Sequence, residues 1–294
     1  MACSRAAAAD DLSGASFVIL VTGASRGLGL AIALECARRG AVVAMNYASN
    51  DAAAVLALAQ VRSVTSGPVP PQLFKGDLRT AAACKDLFDG VVIRYGRVDA
   101  LCNNAGICQD HDIGDRLAVD FEFYARTVSD IIRVNFEAAS NLSFLAVRHF
   151  QDLRANGLVP EISAATDGVG LRRLGRHHRG CLVHVTSVSA SDGELTALSY
   201  GSSKAALHIF SQSVARRFAA DGILSTCVAP GWVLTDMTRS VIEGPEGEAL
   251  LKSHPLGRFA IPEEIARVVC YCLFDAPLSV TGTVIDVNGA SYTR

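Results

Sequence analysis

The stretch FVILVTGASRGLGLAIALECARRG, residues 17–40, combines three local signals in the order strand, turn and helix. Its opening run FVILV is apolar and rich in β-branched residues, which is typical of a short buried strand. The residues after position 27 place apolar side chains at helical spacing, and Gly40 is typical of a helix end. Three glycines separate the two elements: Gly23, Gly27 and Gly29.

This glycine-rich turn predicts a site for the pyrophosphate of a dinucleotide. Glycines let the backbone approach a phosphate closely, and the N-terminus of the following helix offers unpaired N–H groups with a partial positive charge. The spacing is G-x-x-x-G-x-G rather than the G-x-G-x-x-G fingerprint. The prediction therefore depends on the position of the turn between a strand and a helix, and an ordinary turn is the alternative.

The end of the next strand bears on the choice between NAD and NADP. The strand AVVAMNY is predicted to end near Asn46 and Tyr47. An acidic residue about twenty positions after the glycine turn would bind the ribose 2′-hydroxyl of NAD, but the first acid here is Asp51. Arg26, inside the turn, could face a 2′-phosphate with its planar charged group, or could be a solvated surface residue. The sequence therefore favours NADP(H).

Strands and helices continue to alternate after this first unit. A helix is predicted over residues 51–66, then the strand QLFKGDL, a helix that ends at Gly96, and the strand VDALC. Asp77 is interpreted either as a partner of the adenine amino group or as the cap of the helix that begins near Thr80. The alternation predicts an α/β fold with a parallel sheet and helices on both faces.

Composition limits the classes of protein and partner. The 294 residues are 50% hydrophobic and 19% charged, which argues against disorder, and the formal net charge of -2 favours neither nucleic acid nor a membrane surface as a partner. The apolar runs are too short to span a bilayer. Nine cysteines without metal-ligand spacing predict reduced thiols, no metal site and a cytoplasmic location. Residues 1–16 are interpreted as a flexible tail, and mitochondrial import is the lesser alternative.

A second informative stretch is CLVHVTSVSASDGELTALSYGSSK, residues 181–204. It begins as a buried strand and ends in a helix, on which Tyr200 and Lys204 lie one turn apart on the same face. A neighbouring positive charge lowers the pKa of a tyrosine, so this phenol could exchange a proton with a carbonyl or an alcohol near neutral pH. Ser187, at the end of the strand, could hydrogen-bond the same oxygen. An ordinary half-exposed helix face is the alternative interpretation of the Tyr-x-x-x-Lys pattern.

Together these motifs resemble the short-chain dehydrogenase/reductase family, from about Phe17 to the C-terminus. The resemblance implies an α/β fold: a single doubly wound Rossmann-type domain, with a parallel sheet of about seven strands and helices on both faces. The matching segments are TGASRGLG at 22–29, NNAG at 103–106, Asn135, Ser187, Tyr200, Lys204 and PGWVLT at 230–235. In similar proteins the residue that matches Tyr200 donates or accepts the proton, and the match to Lys204 binds the nicotinamide ribose and lowers the tyrosine pKa. The match to Ser187 orients the substrate carbonyl, and the match to Asn135 holds a water molecule in the proton relay.

The cofactor contacts follow from the resemblance and from the strand-end argument above. Val233 and Thr235 match positions that fix the nicotinamide carboxamide. The full set is Gly23, Arg26, Gly27, Leu28, Gly29, Asn46, Tyr47, Asp77, Leu78, Asn103, Ala105, Gly106, Tyr200, Lys204, Pro230, Gly231, Val233 and Thr235.

Three connections are predicted to vary within residues 17–294. Residues 107–126 leave the carboxyl end of a strand and should border the substrate, because ligands of doubly wound sheets bind at that edge. Residues 153–180 should lie on the opposite side, where His177 and His178 are expected to be exposed in a solvated loop rather than a docking surface. Residues 232–258 are interpreted as a mobile lid, with Trp232 packed beside it or the nicotinamide.

The stretches HPLGRFAIPEEIA and VTGTVIDVNGASYTR resemble the β-ketoacyl-acyl carrier protein reductases, in which a homotetramer is common. The main hypothesis is an NADPH-dependent carbonyl reductase that acts on a small-molecule or carrier-bound ketone, with a 3-oxoacyl thioester as the first candidate. The second is a secondary-alcohol dehydrogenase for a sugar, polyol or steroid. The third is a nucleotide-sensing scaffold without catalysis.

Overall fold

A sheet of seven parallel strands forms the centre of the computed structural model, which describes residues 17–109, 120–159, 178–193 and 197–294. The strands stand in the order β3-β2-β1-β4-β5-β6-β7, and each neighbouring pair is parallel. Their bounds are β1 Val18–Val21, β2 Val42–Tyr47, β3 Gln72–Lys75, β4 Ala100–Asn103, β5 Gly180–Val185, β6 Ile223–Pro230 and β7 Val284–Val287.

Helices connect these strands, as the alternation predicts. They are α1 Gly27–Arg38, α2 Asp51–Val64, α3 Ala81–Tyr95, α4 Phe121–Ile132, α5 Ala138–Ala155, α6 Ser189–Asp192, α7 Leu198–Phe218, α8 Arg239–Ile242, α9 Gly247–Lys252 and α10 Pro262–Cys270. The predicted doubly wound fold is confirmed. Most boundaries agree to within two residues, and α3 is followed by Gly96 in the left-handed conformation, as predicted.

The two faces of the sheet carry two separate apolar cores, which explains why the strands are continuous apolar runs. In β1, Ile19 and Val21 belong to the core shared with α1 and α10, whereas Val18 and Leu20 belong to the core shared with α3 and α5. Successive side chains of a strand point to opposite faces, so a strand covered by helices on both sides needs apolar residues at every position.

The long helical segment that carries Asn135 is not one regular helix. Residues Arg133–Glu137 form a π-helical turn between α4 and α5. Such turns insert one extra residue into a helix and are frequent at functional sites. Asn135 lies in the middle of this turn with its side chain buried.

One alternative interpretation is excluded and one prediction is wrong. The alternative that Asp77 caps α3 is excluded, because the hydroxyl of Thr80 accepts from the N–H of Ala83 at 3.2 Å. His178 is buried rather than exposed, with Nε2 3.1 Å from the carbonyl oxygen of Leu273. Residues 1–16, 110–119, 160–177 and 194–196 lie outside the described residues, so the prediction for His177 falls outside them. Within the described ranges no helix is both long enough and apolar enough to cross a membrane.

Candidate active site

A cavity of about 740 Å³ opens beyond the carboxyl ends of the strands. It lies where the strand order reverses between β1 and β4, the position at which doubly wound sheets bind ligands. Its volume falls within the range of small-molecule and cofactor sites. All of the predicted cofactor residues except Asn103 line it, together with Ser187.

The glycine turn is packed so tightly that position 29 has no room for a side chain. A Cβ atom on Gly29 would lie 2.1 Å from the carbonyl oxygen of Gly23 and 2.5 Å from Nδ2 of Asn104. Asn104 in turn donates from Nδ2 to the carbonyl oxygen of Thr22 at 2.8 Å. In the described part of the chain no side chain caps α1, and its first turn has no acidic residue. An uncapped helix N-terminus at a cavity wall fits a phosphate group.

Asn46, at the end of β2, fixes the glycine turn to the neighbouring strand. Its Oδ1 accepts from the N–H of Gly23 at 3.3 Å, and its Nδ2 donates to the carbonyl oxygen of Gly76 at 3.1 Å. Every polar atom of this buried side chain is therefore used to hold backbone, and Asn46 shapes the cavity rather than offering it a free amide.

Asp51, the first acid after β2, is already neutralised by its neighbours. Lys75 donates to one carboxylate oxygen at 2.8 Å and the Tyr47 hydroxyl donates to the other at 2.8 Å. The hydrogen bond from Lys75, followed by that from Tyr47, holds the pKa of Asp51 below its usual value. Asp51 is therefore not a free carboxylate for a ribose hydroxyl.

Asp77 lines the cavity with a partner that the sequence analysis missed. Arg79 donates to both of its carboxylate oxygens, with Nε 3.0 Å from Oδ2, and this hydrogen bonding lowers the pKa of Asp77. Arg79 also reaches the carboxylate of Asp130 at 3.4 Å and itself lines the cavity. The pair thus presents a charged guanidinium, not only an acid, at the end of the site that is formed by β2 and β3.

Ser187, Tyr200 and Lys204 meet on one wall of the same cavity. The Lys204 ammonium lies 5.7 Å from the centre of the Tyr200 ring and donates to the carbonyl oxygen of Val185 at 3.0 Å. Burial lowers the pKa of Lys204 to about 8. A group with this pKa is still mostly protonated at neutral pH, so its positive charge is present beside the phenol.

Close packing of α7 on α6 brings the tyrosine beside the serine. A Cβ atom on Gly201 would lie 2.8 Å from the carbonyl oxygen of Ser189. The missing side chain at the residue after Tyr200 therefore lets the two helices touch. Ser189, which the sequence analysis also missed, accepts a hydrogen bond from Ser187 Oγ at 3.0 Å and donates to it from its N–H at 3.2 Å.

Asn135 lies behind this wall rather than on the cavity surface. Its Oδ1 accepts from the N–H of Ile107 at 2.8 Å, and its Nδ2 donates to the carbonyl oxygen of Ile107 at 2.9 Å and to Ser203 Oγ at 3.0 Å. It thereby fixes the backbone that leaves β4 next to Lys204. Its predicted part in a water relay stays a prediction.

Comparison with known proteins identifies the family. The model of the short chain dehydrogenase family matches residues 17–246.

The chain belongs to the short-chain dehydrogenase family.

Relatives with different substrates share about the same similarity to this short-chain dehydrogenase. L-rhamnose 1-dehydrogenase (NAD(P)(+)) of Sphingomonas sp. strain SKA58 is 30% identical, covering 94% of this chain and 96% of the relative. The 3-oxoacyl-acyl-carrier-protein reductase FabG of Staphylococcus epidermidis is also 30% identical, and the match covers 93% of this chain and 98% of the relative. Acetoacetyl-CoA reductase of Rhizobium meliloti is 31% identical, and the match covers 94% of this chain and 99% of the relative. The predicted family and its nearness to the 3-oxoacyl-acyl carrier protein reductases are confirmed, and the chain is an oxidoreductase.

Among solved structures, a short-chain dehydrogenase from Burkholderia cenocepacia J2315 in complex with NADP superposes with a TM-score of 0.76 at 25% identity. The match covers 94% of this chain and 98% of that one.

Besides Asn135, two more predicted residues of this short-chain dehydrogenase do not line the cavity. The side chain of Asn103 is buried on the α5 side of the sheet, where Nδ2 donates to Ser143 Oγ at 3.1 Å and to Nδ1 of His184 at 3.2 Å. Asn104, one position later, lines the cavity instead. Leu101 shares the core with α5, so strand alternation already indicates that Asn103 points the same way. Trp232 is likewise absent from the lining, although the next residue, Val233, is part of it.

The buried Lys204 gives a pH-dependent stability prediction. Its pKa is about 8 in the folded short-chain dehydrogenase and 10.5 in the unfolded reference. Between these values the unfolded chain binds more protons, so the free energy of unfolding should rise with pH. We expect the wild type to gain about 3 kcal/mol relative to Lys204→Met over this interval. Urea denaturation of both proteins at several pH values measures the difference, in which other titrating groups cancel. A difference that does not change with pH would contradict a depressed lysine pKa.

Proposed function

We propose that this short-chain dehydrogenase is an NADPH-dependent carbonyl reductase. The observation that supports the proposal best is that Ser187, Tyr200 and Lys204 share one cavity with the uncapped N-terminus of α1. A dinucleotide whose phosphates occupied the glycine turn would extend toward a proton donor at the other end of the cavity.

The residues of the chain have distinct tasks in this reaction. When bound, the nicotinamide supplies the hydride. Tyr200 gives its hydroxyl proton to the substrate oxygen. The Ser187 hydroxyl, which turns from Ser189 Oγ to the same oxygen, orients the carbonyl. The Lys204 ammonium stabilises the negative charge left on the phenol oxygen. Asn135 holds the backbone of Ile107 and with it the shape of the wall beside Lys204.

The preference for NADP(H) is supported by the charges near β2. Arg26 and Arg79 both line the cavity, whereas the Asp51 carboxylate is bound by Lys75 and Tyr47. The binding of NADP by the similar Burkholderia cenocepacia enzyme agrees with this preference. A 2′-phosphate would meet Arg26, whereas Arg79 is paired with Asp77 and Asp130. A bare 2′-hydroxyl would find the carboxylates of Asp51 and Asp77 already bound by Lys75 and Arg79.

The Arg26→Ala variant tests this preference. We expect the Kd for NADPH to rise about 10- to 100-fold, because a charge-assisted contact with the 2′-phosphate is lost. The Kd for NADH should change less than about threefold. Fluorescence titration measures both constants. Arg38→Ala, at the opposite end of α1 with a half-exposed side chain, is the matched control. Equal losses of NADPH and NADH binding would remove the argument for NADP.

For the substrate we propose a 3-oxoacyl thioester carried by acyl carrier protein or coenzyme A. The acetoacetyl-CoA and 3-oxoacyl reductases among the relatives support it. The relative that oxidises L-rhamnose at equal identity favours the second candidate, a secondary-alcohol dehydrogenase for a sugar, polyol or steroid. Steady-state rates with short 3-oxoacyl thioesters, quinones and sugars, with NADPH and NADP, separate the two. If NADPH binds and no ketone or alcohol reacts, the scaffold hypothesis replaces both.

We also propose that residues 107–126 and 232–258 border the substrate, as the sequence predicts. Gln109 in the predicted insertion and Asp236, Met237 and Thr238 in the predicted lid line the cavity, which supports a substrate role for both segments.

We propose that the protein is a homotetramer. Two apolar side chains on neighbouring helices are exposed and support this assembly: Phe144 on α5 is 67% exposed and Ile209 on α7 is 64% exposed. Light scattering of the purified protein tests the assembly. The location proposed is the cytoplasm, as the composition predicts.

A further inference from the structure

Arg294 joins two elements that the sequence does not connect. Its Nε donates to Oδ2 of Asp286 at 2.8 Å and its Nη2 donates to Oδ1 at 3.2 Å. Its Nη1 donates to Ser191 Oγ at 2.9 Å. Asp286 belongs to β7 and Ser191 belongs to α6, so one guanidinium bridges the last strand of the sheet and the short helix that follows Ser187.

The position of α6 determines where the Ser187 hydroxyl points. Ser187 Oγ accepts from the N–H of Ser189 at 3.2 Å and donates to Ser189 Oγ at 3.0 Å. Ser189 is the first residue of α6 and Ser191 is the third. A displacement of α6 would therefore move both partners of the Ser187 hydroxyl, although Ser187 itself follows the rigid strand β5.

A helix of this length needs outside support. α6 has four residues, which is a single turn, and one turn gains too few hydrogen bonds to hold itself. α7 supports one side of it, through the close approach at Gly201. Arg294 supports it from the direction of β7, and the bidentate contact with Asp286 orients the guanidinium for this task.

We propose that Arg294 is a positioning residue for Ser187, acting through Ser191 and α6. The inference rests on the proposed carbonyl reduction, in which Ser187 orients the substrate oxygen. Arg294 is absent from the lining of the cavity in the described part of the chain, so its effect on the reaction passes through α6. Geometry errors of about 1 Å at a reacting group can cost up to about a hundredfold in rate, so a bond outside the cavity can matter.

The test combines Arg294→Met, Ser191→Ala and the double variant. Arg294→Met keeps an unbranched apolar side chain and removes the guanidinium group. We expect each single variant to lower the single-turnover rate of ketone reduction about tenfold, with the Kd for NADPH within about twofold of wild type. The double variant should lose no more than Arg294→Met alone, because both changes remove the same contact. Arg294→Lys should recover only part of the rate, since one ammonium cannot copy the planar fork.

Arg154→Met is the matched control. The Arg154 side chain is 45% exposed, and that of its partner Asp221 is 29% exposed. The corresponding exposures are 40% for Arg294 and 22% for its partner Asp286. It lies on α5 and is absent from the described cavity lining. An unchanged rate in Arg294→Met, an equal loss in Arg154→Met, or additive losses in the double variant would each overturn the inference.

A second measurement separates this inference from the proposed function. Amide hydrogen exchange of residues 187–192 should be faster in Arg294→Met than in wild type or Arg154→Met. If the wild type reduces no ketone, the proposed function fails, and the exchange rates still decide whether Arg294 holds α6. If the wild type is active and neither rate nor exchange responds to Arg294→Met, only the positioning role is wrong.

Discussion

The Tyr200→Phe variant is expected to lose about a thousandfold in kcat with any ketone that the wild type accepts. General acid catalysis by a positioned side chain contributes about 10²- to 10⁴-fold, and this substitution removes one oxygen while the ring remains. The Lys204 ammonium, 5.7 Å from the ring centre, would then have no phenol oxygen to stabilise. Steady-state kinetics with NADPH measure the loss, and the Kd for NADPH should stay within about threefold of wild type.

Tyr95→Phe is the matched control for this prediction. The Tyr95 hydroxyl donates to the carbonyl oxygen of Pro70 at 3.1 Å, and Tyr95 is not among the described residues that line the cavity. Its removal should leave kcat unchanged. Turnover of Tyr200→Phe within about threefold of the wild type would show that another group supplies the proton, and the proposed mechanism would have to be abandoned.

Gly29→Ala is expected to weaken NADPH binding on the order of 100-fold, which is about 2.7 kcal/mol of binding free energy. The new Cβ would lie 2.1 Å from the carbonyl oxygen of Gly23, so the turn must open. Opening it moves the N–H groups of α1 away from the position at which they meet a phosphate. Isothermal titration with NADPH measures the change, and circular dichroism checks that the sheet and helices remain.

Gly40→Ala controls for damage to α1 itself. Gly40 follows the other end of the same helix, and a Cβ added there meets nothing within 4 Å. Its φ of 82° makes alanine strained, so some stability should be lost while NADPH binding is retained. If Gly40→Ala weakens binding as much as Gly29→Ala does, general destabilisation explains both. If Gly29→Ala binds NADPH normally, the phosphates do not rest on this turn.

Much of the site was predictable because its signals are local. The strand, turn and helix of residues 17–40 each follow from neighbouring residues, and Tyr200 and Lys204 share a face because helical spacing requires it. Those residues line one cavity in the structure, as the sequence predicts. The choice between Asn103 and Asn104 was also within reach, because alternation along β4 aligns Asn103 with the buried Leu101.

The sequence by itself determined the succession of strands and helices along the chain, the glycine turn and the Tyr-Lys pair. Each of these depends on residues within a few positions of one another. Only the tertiary structure decided that Lys75 binds the Asp51 carboxylate, that His178 is buried, and that Arg294 contacts Ser191 on α6. Ser191 and Arg294 are 103 positions apart, Lys75 and Asp51 are 24 apart, and His178 and Leu273 are 95 apart. Such contacts form only when strand order and helix packing bring remote segments together, and no local pattern records them.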